Sequence, residues 1–406
     1  CRVMFLLDYI RHGEWRPTVH GARENRQACG FLWLLNEYIL SVNPDFIMIA
    51  EESTAWPKMT KPGYDGGLGC NFKWNMGWMN DMLCYCSADP FFRKHMHDKI
   101  TFSFMYAFSE NYILPLSHDE VVHGKCSLIN KMPGEYSQKF AGMRTLFGYM
   151  MAHPGKKLLF MGQEFGQFIE WNFGKELDWQ LLSYESHRKL QNFVKDLNRF
   201  YLDNSTLWEI DDSWDGFQWL VHDDTTQNVI IFRRTNDEGE DVIAICNFAP
   251  EERDDYRFGI PEEKNYEIAF SSDDIRYGGK GIPEKEIILS EKIAMHGKSN
   301  SIAVDIPPMS VMYLKPSSIQ PEPKVIDVES SSAETEEEPA AEQPKPKTTR
   351  KKAASTKPKT TRKKATSEEA AQEKPKTTRK KTAAAKEKTE EKPKRTRKKA
   401  AEKIEE

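Results

Sequence analysis

The chain has 406 residues, 39% of them hydrophobic and 30% charged, with a net charge of −4. That length allows two to three domains, but the apolar share is low for a chain folded throughout and points to a globular part diluted by a polar one. No apolar run of 18 residues exists, which excludes an ordinary membrane-spanning helix.

In chain order, Glu24 to Val42 predicts a helix, with Phe31, Leu34, Leu35, Tyr38 and Ile39 at helical spacing and Pro44 closing it. Phe46 to Ala50 is a short apolar run of buried-strand type that ends abruptly in Glu51-Glu52-Ser53. A second strand, Ile113 to Leu116, ends in Ser117-His118-Asp119-Glu120. Tyr136 to His153 predicts a helix broken by Pro154-Gly155, Lys157 to Met161 a third strand ending in Gly162-Gln163-Glu164, and Ser186 to Leu202 a further helix. Strand, loop and helix in alternation argue for a parallel α/β arrangement. Each polar cluster sits at a strand's C-terminal end, where parallel barrels keep their active sites.

Residues 206–316 change character. Phe217–Val221, Val229–Arg233, Val242–Ile245 and Ser310–Leu314 are short β-type runs parted by turns such as Asn236-Asp237-Glu238-Gly239, the pattern of an all-β sandwich. All ten Trp, 14 Tyr and 22 Phe precede residue 316. Beyond it, Lys-Pro-Lys-Thr-Thr-Arg-Lys-Lys recurs at 345–352, 357–364 and 374–381, with a variant at 392–399. From Lys345 onward, 24 Lys and Arg stand against 9 Asp and Glu, a charge of +15 that leaves −19 on the rest of the chain. Such a segment cannot bury enough surface to offset its ordering entropy and is expected to be disordered. Its basic repeats suit nucleic acid or an acidic surface, although a solvated extension without a fixed partner is the default for such a segment.

The seven cysteines (Cys1, Cys29, Cys70, Cys84, Cys86, Cys126 and Cys246) form an irregular set with no paired C-x-x-C, as expected of free thiols in a reducing compartment. With no signal peptide in sight, a cytoplasmic monomer free of membranes is expected. Cys1-Arg2-Val3, in place of Met, reads as a cut in a longer protein.

Glu51 is the first candidate for chemistry. Partial desolvation at a strand end favours a protonated carboxyl and suits a general acid, although an N-cap or surface carboxylate fits the same pattern. Asp119, between His118 and Glu120, can fix sugar hydroxyls or orient catalytic groups, or be one part of a structural cluster. His118 and His123 are off the i, i+4 spacing of a helical metal site, so neither a metal nor another cofactor is expected. Trp56, Trp74, Trp78, Trp171 and Trp179 interleave these positions and suit either core packing or the flat C–H faces of sugars; Trp171, just past the third strand, is best placed for the latter.

The stretches Met48–Thr54, Leu114–Lys125 and Gly155–Gly162, together with Gly13-Glu14-Trp15, Lys73–Met79 and Asp255–Gly259, resemble the glycogen branching enzymes of the α-amylase superfamily. The resemblance implies the C-terminal half of a (β/α)8 TIM barrel at 1–205, an all-β sandwich domain at 206–316 and a disordered basic tail at 317–406. It implies a retaining transglycosidase that moves an α-1,4-glucan segment of glycogen or amylose to a 6-hydroxyl, making an α-1,6 branch. Glu51 matches the acid/base and Asp119 the aspartate that grips the ring, with His118, Glu52 and Trp171 as substrate contacts. Retaining enzymes hold acid/base and nucleophile about 5–5.5 Å apart. The family's nucleophile sits in a Gly-x-Arg-Val-Asp-Ala-Val strand end, which the match of Met4–Tyr9 places upstream of Cys1; Asp8 belongs to the downstream match and is not promoted to that role. Asn80 and Gln163 depart from the common pattern, where His and Asn are usual, and put fine substrate contacts in doubt. Half a barrel exposes open edges and apolar lining, so the chain alone is expected to fold poorly and to lack branching activity. A hydrolytic α-amylase-type enzyme, or a non-catalytic glucan- or nucleic-acid-binding protein, are the alternatives.

Overall fold

A computed structural model describes residues 24–281 and 287–317, all within one compact unit, Cys1–Ile326. The segments 4–9 and 13–15 and the basic repeats of the tail lie outside the described residues.

Helix α1 (Arg26–Val42) begins where Asn25 accepts the Ala28 amide at 3.2 Å and ends at Asn43, one residue before Pro44. There follow β1 (Ile49–Ala50), β2 (Phe72–Trp74), α2 (Met76–Ser87), the single turn α3 (Asp98–Thr101), β3 (Tyr112–Leu116), the single turn α4 (Leu128–Lys131), α5 (Tyr136–Ala152), β4 (Lys156–Leu159) and α6 (Glu185–Asp203). The four strands form one parallel sheet in the order β1-β2-β3-β4, with Ala50 beside Lys73, Lys73 beside Tyr112 and Leu116 beside Leu159.

Three sequence expectations are corrected. Strand β2 was not anticipated, because three residues with a lysine in the middle carry no apolar periodicity. Among the described residues the run Phe46–Ala50 is paired only at Ile49–Ala50, where β1 is bonded to β2, and Phe46 and Ile47 are exposed. The third expected strand ends at Leu159, and Phe160 and Met161 lie past the ladder.

The β region forms an antiparallel five-stranded sheet and a two-stranded one. The larger has the order β5 (Phe217–Asp224), β6 (Val229–Thr235), β7 (Asp241–Asn247), β11 (Ser310–Pro316), β9 (Tyr266–Ser271). The smaller pairs β8 (Arg253–Ile260) with β10 (Asn300–Ile306). β8, β9 and β10 mix charged with apolar residues, which hid them from a search for apolar runs.

Alternation divides the larger sheet between two cores. Ile231, Ile243, Ile245, Met312 and Leu314 pack with Phe258, Ile260, Ile302 and Val304 of the smaller sheet. Phe232, Ala244, Cys246, Val311 and Tyr313 join instead the core of the α/β part, with Leu114, Leu146, Phe147, Met150 and Phe193. β7 is accordingly buried at every residue.

Helix α5 stands where the two parts meet. A capping box, Glu135 with Gln138, starts it, and Pro154-Gly155 follows its end. Phe140 and all of Gly142–Ala152 are buried, so the helix is enclosed nearly all round. At Gly148 the neighbouring strand comes so close that a methyl group would lie 2.8 Å from Val311 Cβ. Tyr313 donates its hydroxyl to the Gly148 carbonyl. Three buried arginines tie the same seam: Arg93 donates to the carbonyls of Phe248 (2.9 Å) and Cys86 (3.0 Å), Arg144 to that of Ser272 (2.8 Å), and Arg234 to that of Ala152 (2.9 Å) and to Asp211 (2.7 Å). Among the described residues no helix is long and apolar enough to cross a membrane, and the six described cysteines are free thiols.

Gly148→Ala is expected to destabilise the protein. Overpacking costs about 1–3 kcal/mol, which outweighs the gain of up to about 1 kcal/mol in helix propensity; a lower urea midpoint is the readout. His153, fully buried at the end of α5 and bonded to Ser103 at 2.9 Å, is pushed down to about 3 by that burial. Its folded state binds the proton less readily than the unfolded state, so this contribution is complete above pH 6.5 and is lost as pH falls towards 3. In His153→Gln, the fall of unfolding free energy with acidification through that window should be shallower by about one proton.

Candidate active site

A parallel sheet delivers the residue after every strand to the same edge. Here β1 delivers Glu51, β2 Asn75, β3 Ser117-His118-Asp119, and β4 the turn that reaches Gln163. β2 lies between β1 and β3, so the ends that carry Glu51 and Asp119 are two strand spacings, about 10 Å, apart along the backbone. Side chains of this length can converge across that gap.

His118 and Asp119 occupy one 3₁₀ turn, with His118 Nε2 3.1 Å from Asp119 Oδ1 and both side chains a little under half exposed. The His118 ring meets Trp171 edge-on, centroids 5.8 Å apart, and Phe160 at 5.9 Å, while Phe160 and Trp171 are themselves 5.1 Å apart. The structure thus gathers His118, Asp119 and Trp171 into one corner. Glu51 is half-buried at the same edge.

Glu52 is set apart from this corner. Neighbours leaving an extended strand take opposite sides, and Glu52 is only 1% exposed, with Oε1 accepting the Thr54 amide at 2.7 Å. It lines a cavity whose wall includes none of Glu51, His118 and Asp119.

Charged side chains, Lys73 and Glu110 buried and Glu170 partly exposed, hold the loops that carry the candidates. After Glu51, Lys73 of β2 donates to the carbonyls of Thr54 (2.9 Å) and Trp56 (3.4 Å). Glu110 accepts the amides of Met59 (2.9 Å) and Thr60 (2.8 Å). Burial pushes the Lys73 ammonium below its ordinary range, against the raising influence of Glu110 and Glu52. After Asp119, Glu170 accepts the amides of Cys126 (2.8 Å) and Gly124 (3.0 Å) and lies 3.3 Å from His123. Those amides, more than the imidazole, hold its carboxyl below the usual carboxylate range. The Trp171 amide completes the tie by donating to Val121 O at 2.8 Å.

Sequence reasoning missed Lys73, Glu110 and Glu170 as loop anchors. Their partners are tens of residues away along the chain, and the one local hint was that Glu170 precedes Trp171. A cavity of about 840 Å³ opens beside this corner, lined by Trp171, Glu170, His123, Asn130, Phe168 and Phe173. Among the described residues no group of three His, Cys, Asp or Glu side chains could hold a metal ion.

Residues 219–317 match the family described as the alpha amylase C-terminal all-beta domain. The chain is 53% identical over 315 residues to a 1,4-alpha-glucan branching enzyme GlgB of Halothermothrix orenii, covering 76% of this chain and 50% of that one. It is 52% identical over 313 residues to a GlgB of Aquifex aeolicus, covering 77% and 50%. The chain therefore spans about half the length of the curated relatives it matches. A solved structure titled as AmyP in complex with maltose is similar in fold, with a TM-score of 0.50 and 11% identity over 72% of this chain and 63% of that one.

Glu170→Ala should speed amide exchange at Gly124 and Cys126, both of which lose an acceptor. Glu170→Gln, which keeps one, should fall between. Unchanged exchange at both sites, followed by NMR, would show that the loop does not depend on this carboxylate.

Proposed function

As a homologue of the 1,4-alpha-glucan branching enzymes over about half their length, the chain carries, we propose, the acid/base side of a retaining glucan transfer. Glu51 protonates the glycosidic oxygen as the α-1,4 bond breaks, and a nucleophilic aspartate takes the anomeric carbon to give a β-glucosyl-enzyme. Glu51 then removes the proton from a 6-hydroxyl of an acceptor glucan, whose oxygen displaces the aspartate and forms the α-1,6 branch. Asp119 grips the ring hydroxyls, the His118 imidazole beside it holds that carboxylate in place, and Trp171 offers a flat wall to the sugar's C–H face. No residue of this sequence is assigned the nucleophile's role, which falls to the part of the relatives that the chain does not match.

The observation that carries this reading is the delivery of Glu51 and of the His118–Asp119 pair by strands of one parallel sheet to one edge, with Trp171 against the pair. In the proposed architecture, residues 1–205 are the second half of a (β/α)8 barrel. Two features support it: among the described residues β1 pairs on one side only, and α1 presents exposed Phe31, Leu34, Tyr38 and Val42 on a single stripe. An apolar stripe and an open strand edge of this kind call for a cover. Residues 206–316 form the β domain and 317–406 a separate basic tail.

The purified 406-residue chain is expected to leave the iodine spectrum of amylose unchanged; measurable branching would overturn the assignment of the nucleophile to another segment. A chimera carrying the N-terminal half of the Halothermothrix orenii relative should form α-1,6 linkages without new reducing ends. In it Glu51→Gln and Asp119→Asn should each lower kcat by about 10²–10⁴-fold. Release of reducing ends instead would favour hydrolysis.

A further inference from the structure

Of the 24 Lys and Arg from Lys345 onward, 21 fall inside the four repeats at 345–352, 357–364, 374–381 and 392–399. None of the 9 Asp and Glu does; they stand between the repeats and after the last. Within a repeat every uncharged residue is Pro or Thr. Positive charge is thus gathered into four blocks of five or six, where a tail that only solubilises has no need to sort its signs. Like charges so gathered repel one another until an opposite partner answers them.

Composition narrows the partner. From Lys345 to Glu406 there is no aromatic residue, and Ile404 is the only large aliphatic one. Proteins hold single-stranded nucleic acid by stacking its bases on aromatic rings. Stable membrane anchoring joins an apolar element to a basic one, and protein interfaces turn on buried aromatic or apolar anchors. The repeats offer none of these. What they do offer, Lys and Arg charges with Thr hydroxyls between them, suits phosphate oxygens.

The chain's own acidic residues are the nearest competitor. Strand β11 ends at Pro316, and the Ser317 amide donates to Asn265 O at 2.9 Å. Around that exit the carboxylates already have cations beside them: Glu262 has Lys264 at 2.7 Å, Glu263 has Lys292 at 3.2 Å and Glu291 has Arg257 at 2.9 Å. Charge density then decides. The −19 of the remainder is spread over 344 residues, whereas a duplex gathers 19 phosphates into about 32 Å of its axis. Only so dense a polyanion condenses counterions, and their release drives binding. The eight residues of a repeat reach at most about 28 Å, beside roughly 16 phosphates, so each of its cations can find one.

We infer that the four repeats serve as a binding arm for the phosphate backbone of duplex nucleic acid, indifferent to base sequence. Lys and Arg displace counterions from the phosphates, Thr hydroxyls donate to their oxygens, and the four blocks act together as linked weak sites. The arm stands apart from the strand-end edge that carries Glu51 and Asp119, and its binding does not depend on the chemistry assigned there.

The test titrates the whole 406-residue chain against a fluorescein-labelled DNA duplex of about 30 base pairs, read by anisotropy from about 50 to about 200 mM NaCl. With the five cations of even one repeat engaged, log K should fall against log salt with a slope of about −4.5 or steeper, a loss of about 500-fold or more over that range. A chain ending at Glu373, which keeps two repeats, should bind about tenfold more weakly or worse, and one ending at Pro344 should not bind. Both cuts leave residues 24–317 untouched, and circular dichroism checks that the shortened chains match the whole one in fold. The inference is overturned by no binding at the lowest salt, by binding that survives the cut at Pro344, or by a shallower slope. Tighter binding of the separated single strand or of phosphatidylserine vesicles overturns it as well, as does displacement of the duplex by the chain ending at Pro344.

Discussion

Helix Tyr136–Ala152 has protein against it on almost every side. It packs on Glu185–Asp203 and on the strands Asp241–Asn247 and Ser310–Pro316, and it shares one buried core with Leu114 and Leu116 of the parallel sheet. A helix so enclosed has no polar face to spare, and its sequence, Phe140-Ala-Gly-Met-Arg-Thr-Leu-Phe-Gly-Tyr-Met-Met-Ala152, is apolar all round except for Arg144 and Thr145. The two polar exceptions are answered by carbonyls, Arg144 by Ser272 and Thr145 by Ala141. Because one core runs from the parallel sheet through this helix into the β region, the β region acts as the outer wall of the α/β part. Burying the carbonyls that Arg93 and Arg234 satisfy is affordable only because each guanidinium answers several at once.

That rigid backing lets short strands present a site. The four parallel strands contribute two to five residues each, too few to fix long loops by pairing alone. The loops after the first and third strands are held instead by carboxylates and an ammonium that bind backbone groups: Glu52, Lys73 and Glu110 on one, Glu170 on the other. A charge that answers several backbone groups fixes them in direction as well as distance. The side chains left over at the edge, Glu51 and the His118–Asp119 pair, remain partly exposed. The adjacent glutamates at 51 and 52 thus serve opposite sides of one strand, the first the open edge and the second the interior.

Much of this architecture was legible in advance. The helices at 26–42, 136–152 and 185–203 were found within a residue or two, because helical periodicity and the Pro44 and Pro154-Gly155 breaks are local signals. Strands with continuous apolar runs were found as well. Phe72–Trp74 and the three mixed strands of the β region were not, because their burial depends on which neighbour covers each face. The apolar positions of Arg26–Val42 were read correctly as a stripe, yet Phe31, Leu34 and Tyr38 are exposed. Periodicity tells which face is apolar and is silent on what covers it.

The sequence by itself determined a parallel α/β part, an all-β part, and stretches that resemble the branching enzymes, with carboxylates placed at strand ends. Those are properties of local pattern and of motif. Only the tertiary structure decided that Trp171 shares a corner with His118 and that Glu52 parts company with Glu51. It also decided that Lys73, Glu110 and Glu170 anchor loops and that Gly148 must stay small. Apart from the parting of Glu51 and Glu52, which strand alternation sets, each of these depends on contacts between residues remote along the chain.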